Sequence, residues 1–180
     1  MPLIKLNATQ GLTGTLPAVS GANLTNIGGG ITEADMFRLT ADVTSTGYIT
    51  SNLERCDDES FAKIGTGMTE SSGLFSFPTT GIYRVTAFMN AVAIPDDNVG
   101  MIISVTINNS NFDDTGVFQD SGDGSTGASL SGSTECLIDV TDVSNVKVKF
   151  YADSINSGSR IVGHTQGNNT FFTFIRLGDT

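Results

Sequence analysis

This 180-residue sequence predicts an all-β sandwich with an extended N-terminal arm. Three observations point there. Apolar residues recur with period two in short runs, the spacing of a strand that faces a core on one side. Glycine, proline and asparagine gather between those runs, where turns need them. No stretch keeps a helical period for three turns. The low charged fraction, 16%, agrees, because Ser, Thr, Asn and Gly supply most of the polar surface.

Residues 1–30 stand apart and read as an arm. Pro2 to Leu6 suits a short strand, but Gly11, Gly14, Pro17, Gly21 and Gly28-Gly29-Gly30 break any longer element. Leu12, Leu16, Val19, Leu24 and Ile27 recur through it as sticky side chains. Such an arm does not offset its own ordering entropy, and it needs a partner or copies of itself. The glycine triplet reads as its hinge. Residues 31–180 form the head.

The head's strands follow in order. Ala34 to Leu39 and Gly47 to Thr50 are short; Leu74 to Phe77 is stopped by Pro78. Gly81 to Met89 carries bulk on both faces, as a central strand does: Tyr83, Val85, Ala87 and Met89 alternate with Ile82, Arg84, Thr86 and Phe88. Met101 to Ile107 turns at Asn108-Asn109. Gly116 to Gly127 reads as a polar loop, followed by strands over Ala128 to Val140, Val146 to Tyr151 and Thr170 to Leu177. About eight strands with turn signals between them make a sandwich or barrel.

Composition narrows the function. Nineteen acidic residues against nine basic ones give a net charge of -10. That balance disfavours nucleic acid, whose phosphates need Lys and Arg, and equally an anionic membrane. No apolar run approaches membrane-spanning length. Cys56 and Cys136 are too few and too far apart for a zinc site or a CxxC redox motif; they read as two buried thiols, with one disulfide as the alternative. Without an apolar leader segment, the expected place of synthesis is a reducing cytoplasm.

Catalysis has little to rest on. His164, the only histidine, sits between glycines in Gly163-His164-Thr165-Gln166-Gly167, and no nucleophile elbow accompanies it. No glycine-rich loop ends in Lys followed by Ser or Thr. With no tryptophan and only Tyr48, Tyr83 and Tyr151, the chain is poor in the aromatics of a glycosidase groove. The same scarcity speaks against a carbohydrate-stacking platform. Most of the eleven phenylalanines read as core.

Gly73-Leu74-Phe75-Ser76-Phe77-Pro78-Thr79-Thr80-Gly81-Ile82-Tyr83-Arg84-Val85 resembles the signature strand pair of the C1q/TNF-like jelly roll, G-x-F-x-x-P-x-x-G-x-Y-x-F. Gly73, Phe75, Pro78, Gly81 and Tyr83 fill the pattern, and Val85 replaces its last phenylalanine. Phe61 upstream and the closing Thr170-Phe171-Phe172-Thr173-Phe174-Ile175 are similar too. The resemblance covers roughly residues 35–177 and implies a jelly-roll head that assembles as a homotrimer. It also implies calcium as the one cofactor to consider, near a trimer apex, with Asp96, Asp97, Asp120 and Asp123 as ligands. The other reading of those carboxylates is solvated loop charge.

A second resemblance lies in the arm. Leu16, Pro17, Ala18, Val19, Gly21, Leu24, Thr25 and Ile27 match an L-P-A-V-x-G-x-x-L-T-x-I/L stretch similar to those of bacteriophage tail fibres. Together the two imply a virion structural protein, tail fibre or tail-associated, made in the host cytoplasm. It would dock to other virion proteins through its arm and present a trimeric head to a host surface receptor. The alternatives are a capsid decoration protein and a free C1q-like ligand-binding module.

Overall fold

The computed structural model describes residues 30–58, 61–123 and 127–180. The arm residues Leu12, Leu16, Val19, Leu24 and Ile27, and the strand expected over Pro2 to Leu6, lie outside the described residues. Twelve strands are described: β1 (Ala34–Leu39), β2 (Gly47–Tyr48), β3 (Leu53–Arg55), β4 (Thr69–Ser71), β5 (Leu74–Ser76), β6 (Gly81–Ala93), β7 (Asn98–Thr106), β8 (Asp113–Ser121), β9 (Ala128–Val140), β10 (Lys147–Asp153), β11 (Arg160–Ile161) and β12 (Phe171–Gly178).

They form two antiparallel sheets, a jelly-roll β-sandwich. Sheet I runs β9-β6-β12-β1-β3, with β11 continuing the β12 edge of β6. Sheet II runs β8-β7-β10-β5-β4, with β2 beside the far end of β10. The central position expected for the strand at Gly81 is found, since β6 pairs β9 along its whole length and β12 on its other edge. Its Tyr83, Val85, Ala87 and Met89 are buried, and the alternate residues face outward.

One reading is corrected. The polar loop expected over Gly116 to Gly127 is, as far as Ser121, the strand β8, paired to β7 from Asn98↔Ser121 to Val105↔Asp113. Its side chains are mostly exposed, so no apolar alternation marked it. Main-chain hydrogen bonds to β7 hold it at the sheet's edge, and they leave no trace in side-chain pattern. The short strands β3, β4 and β11, of two or three residues each, are too brief to show an alternation.

Phenylalanines lock the sheets together. Phe75 and Phe150 of sheet II meet Phe37, Phe172 and Phe174 of sheet I, all buried. The Phe75 ring lies 5.1 Å from both Phe37 and Phe174 and 5.3 Å from Phe150, while Phe150 stacks on Phe172 at 3.9 Å. Each such side chain removes on the order of 150–250 Å² from water, which makes this cluster the main apolar term of the head.

The motif's residues act as its pattern requires. Ser72 and Gly73 link β4 to β5 in a two-residue turn with φ of 51° and 80°, the doubly positive geometry of a tight hairpin. A Cβ on Gly73 would lie 2.1 Å from the Ile49 carbonyl oxygen, so the site admits no side chain. At Gly81, with φ 140°, a Cβ would lie 2.5 Å from both the Arg176 side chain and the Gly178 carbonyl oxygen. Pro78 sits in the link between the sheets, and Tyr83 closes that link by donating its hydroxyl to the Thr79 carbonyl at 3.1 Å.

Candidate functional site

The outward face of sheet I carries the most conspicuous surface. Side chains on β6, β12 and β1 alternate, and the half that misses the core includes Phe88, Phe171, Ile175 and Met36. Phe88 and Phe171 are directly paired across strands and stack at 5.0 Å and 15°. Leu137 and Leu177 on the same sheet are 67% and 55% exposed. A mostly apolar groove of about 190 Å³ opens beside them, lined by Ala34, Met36, Phe61, Ile64, Thr173 and Ile175. Isolated exposed apolar residues are ordinary on a folded chain; a contiguous set on one sheet face is not. The Arg84–Glu135 ion pair lies within this surface.

Arg38 also belongs to the outward side of β1, yet it is 2% exposed. Its guanidinium donates to Glu54 Oε2 at 3.0 and 3.1 Å, to Asp57 Oδ1 at 3.0 Å and to Asp58. The bond to Asp58 raises its pKa, burial opposes that, and Glu54 raises it again. A second pair, Arg55 with the buried Asp35, ties β3 to β1; Asp35 also accepts from the Met68 backbone N–H at 2.8 Å.

The four aspartates considered for calcium lie at one end of the sandwich. Asp96 is exposed at φ 59° in the turn before β7. Asp97 is buried, and its carboxylate accepts from Asn156 Nδ2 and Ser159 Oγ. Its carbonyl accepts from the Gly122 N–H at 2.9 Å, which brings it close to the β8 end. Asp120 is exposed and accepts from its neighbour's N–H, that of Ser121, at 2.8 Å; Asp123 is exposed. Among the described residues no three His, Cys, Asp or Glu side chains converge in a way that would hold a metal ion.

Asp97 thus works as a tie between the β6–β7 turn and the 156–159 segment. Burial by itself would raise its pKa, but the bonds from Ser159, Asn156 and the backbone outweigh burial and hold it below the ordinary 3.8. A carboxyl depressed on folding adds stability above its unfolded value, near 4, and loses it as pH falls through the folded value. Asp97→Asn, which sets an amide N–H₂ against that of Asn156, is expected to cost about 1–3 kcal/mol at pH 7. Melting temperatures of the two proteins should converge as pH falls through the folded value; a gap that stays constant with pH would remove the charge from the argument.

The remaining sequence features resolve plainly. Both cysteines are free thiols; burial pushes the pKa of each upward, Cys56 being buried and Cys136 half-buried. His164 is exposed, and its Nδ1 accepts from the Gln166 N–H at 3.0 Å, a local loop contact. Among the described residues no helix is long and apolar enough to cross a membrane.

With this geometry in place, the fold can be compared. The architecture is that of a TNF/C1q-like jelly roll. Murine APRIL in a crystal structure at pH 5.0 superimposes with a TM-score of 0.59 at 12% identity, over 81% of this chain and 98% of that one. Eiger TNF from S. frugiperda does so with a TM-score of 0.59 at 13% identity, over 82% and 93% of the two chains. No family model matches the sequence, and no curated protein matches it.

These similarities overturn the bacteriophage reading. Virion, tail fibre and capsid decoration rested on joining a C1q-like head to the stretch from Leu16 to Ile27, a short run of common residues outside the described part of the chain. The similar solved structures are murine APRIL and Eiger TNF, and nothing supports a tail-fibre-like arm. A dozen small and aliphatic residues carry too little information to define a location, whereas the pairing of twelve strands defines a fold.

Proposed function

We propose that the chain is a non-enzymatic, ligand-binding module that assembles as a homotrimer through the outward face of sheet I. The observation that carries this reading is the Phe88–Phe171 stack, with Ile175, Met36 and the exposed Leu137 around it. A lone sandwich gains nothing by presenting two stacked rings to water. Three copies packed about an axis would bury them, and a TNF/C1q-like head resembles proteins that associate in threes. Burial raises the pKa of both thiols, and the only histidine serves its own loop, which supports a role in binding rather than catalysis.

Light scattering on a sizing column tests it. The wild-type protein is expected at the mass of three chains. Phe88→Asp, which changes an outward side chain and leaves the core intact, should release monomers, since a desolvated aromatic anchor contributes about 2 kcal/mol or more. A wild-type protein that elutes as a monomer would end the trimer proposal.

A further inference from the structure

We propose that the outward face of sheet II holds a binding site for a carboxylated saccharide, centred on Tyr48 and Lys149. The site lies on the opposite sheet from the proposed trimer seam. It deepens the binding-module reading by naming a ligand class.

The register of sheet II builds it. Tyr48 of β2 pairs with Tyr151 of β10, Tyr151 with Ile102 of β7, and Ile102 with Val117 of β8. One continuous row of aromatic and apolar side chains therefore crosses the sheet. Tyr48 is 40% and Val117 56% exposed at its two ends. Two of the three tyrosines, far apart in sequence, meet edge to face at 5.1 Å, and Phe112 joins them 6.3 Å from Tyr48. The scarcity of aromatics in the sequence is thus no measure of their local density.

Lys149 stands over this cluster. Its Nζ lies 4.4 Å from the Phe112 centroid and 5.1 Å from that of Tyr48. Among the described residues it forms no ion pair, although the chain's net charge is -10. Cation–π attraction positions the ammonium and leaves its N–H donors without a carboxylate.

Tyr48 also lines an open cleft of about 290 Å³ formed by residues 42–52. That is near the lower end of the roughly 300–1,000 Å³ usual for small-molecule sites. Its wall is polar: Thr44, Ser45, Thr50, Ser51 and Asn52 are all exposed, and its one carboxylate, Asp42, is paired with Arg160 at 3.0 Å. An exposed ring, a hydroxyl-rich wall and an ammonium with no counter-ion among the described residues are complementary to different parts of one molecule. The C–H face of a sugar ring covers Tyr48, its hydroxyls exchange hydrogen bonds with the cleft, and its carboxylate meets Lys149. A simple anion would leave the ring unused, and a neutral sugar would leave the ammonium unpaired.

The test is an NMR titration of the full chain with methyl glucuronide, methyl glucoside and acetate. The two sugars differ only in carrying a carboxylate or a hydroxymethyl group. Saturable shifts are expected at Tyr48, Tyr151 and the 44–52 backbone with the glucuronide, with affinity about tenfold higher than for the glucoside, the size of one charge-assisted hydrogen bond. Acetate should give no saturable shifts there. Tyr48→Ala should abolish binding and Tyr48→Phe should keep it, which separates the platform from any effect on folding. Lys149→Gln should bring the two sugars to equal affinity. Equal affinities in the wild type, shifts confined to other surfaces, or a Lys149→Gln protein that still prefers the glucuronide would overturn the proposal. All its residues come from one chain, so a monomeric mass would leave it standing, and a failed titration would leave the trimer standing.

Discussion

Phe75→Ala is expected to be the most damaging single substitution in the head, at a cost of about 3–5 kcal/mol. Phe75 is fully buried and touches rings from both sheets: Phe37 and Phe174 of sheet I, Phe150 of sheet II. Truncation removes its transfer free energy and leaves a cavity between two pleated surfaces. Neither sheet collapses readily into that space, because β6–β9 and β10–β7 pairing holds the backbone in place. A loss of this size lowers the melting temperature by about 10 °C or more in a domain of this length. Thermal unfolding, followed at one protein concentration because assembly adds its own stabilisation, checks it. Phe75→Leu, which refills most of the volume, should recover more than half of the loss. If Phe75→Ala melts within about 2 °C of wild type, the inter-sheet cluster is not the main support described here.

Arg38→Ala is expected to cost about 3 kcal/mol by a different route. The guanidinium is 2% exposed, and three carboxylates, Glu54, Asp57 and Asp58, converge on it. These acids are 40%, 69% and 47% exposed, so water partly screens them once the arginine has gone. That screening holds the expected loss at the low end for a broken buried pair. What remains is the lost packing of the stem and three like charges gathered around β3 and residues 56–58. Arg38→Lys separates the contributions. Lysine keeps the charge and most of the stem, but one ammonium cannot reproduce the fork that reaches Glu54 and Asp57 from one nitrogen and Asp58 from another. About half of the loss should return. Chemical denaturation of the three proteins gives the ranking, and a lysine variant as stable as wild type would show that charge alone matters.

Local rules made much of the fold legible. Two of the expected strands, Ala34 to Leu39 and Ala128 to Val140, have the observed bounds, because each places apolar side chains inward at alternate residues. The Gly73-to-Val85 pattern was readable because each of its residues answers a local need: a positive φ at Gly73, a turn at Pro78, a close approach at Gly81, a large anchor at Phe75 and at Tyr83. Strand β8 was not readable. It is held by its neighbour's main chain, and most of its own side chains face solvent. The LPAVSGANLTNI stretch misled for the opposite reason, since a short pattern of common residues recurs by composition alone.

Of the surfaces, the sequence showed only the parts. The bulk on both faces of Gly81 to Met89 was visible, but not that Phe88 meets Phe171, eighty-three positions away in number and adjacent in the sheet. Four carboxylates were visible, but not that Asp97 turns inward to Ser159 and Asn156 while Asp120 faces out. Sequence by itself determined the class of fold, the central strand and the phenylalanine core, because alternation, turn geometry and burial act over a few residues. Only the tertiary structure decided which outward side chains become neighbours. Tyr48, Phe112, Lys149 and Tyr151 come from three separate stretches of chain, and the register of β2 and β10, with the packing of Phe112 against Tyr48, brings them together.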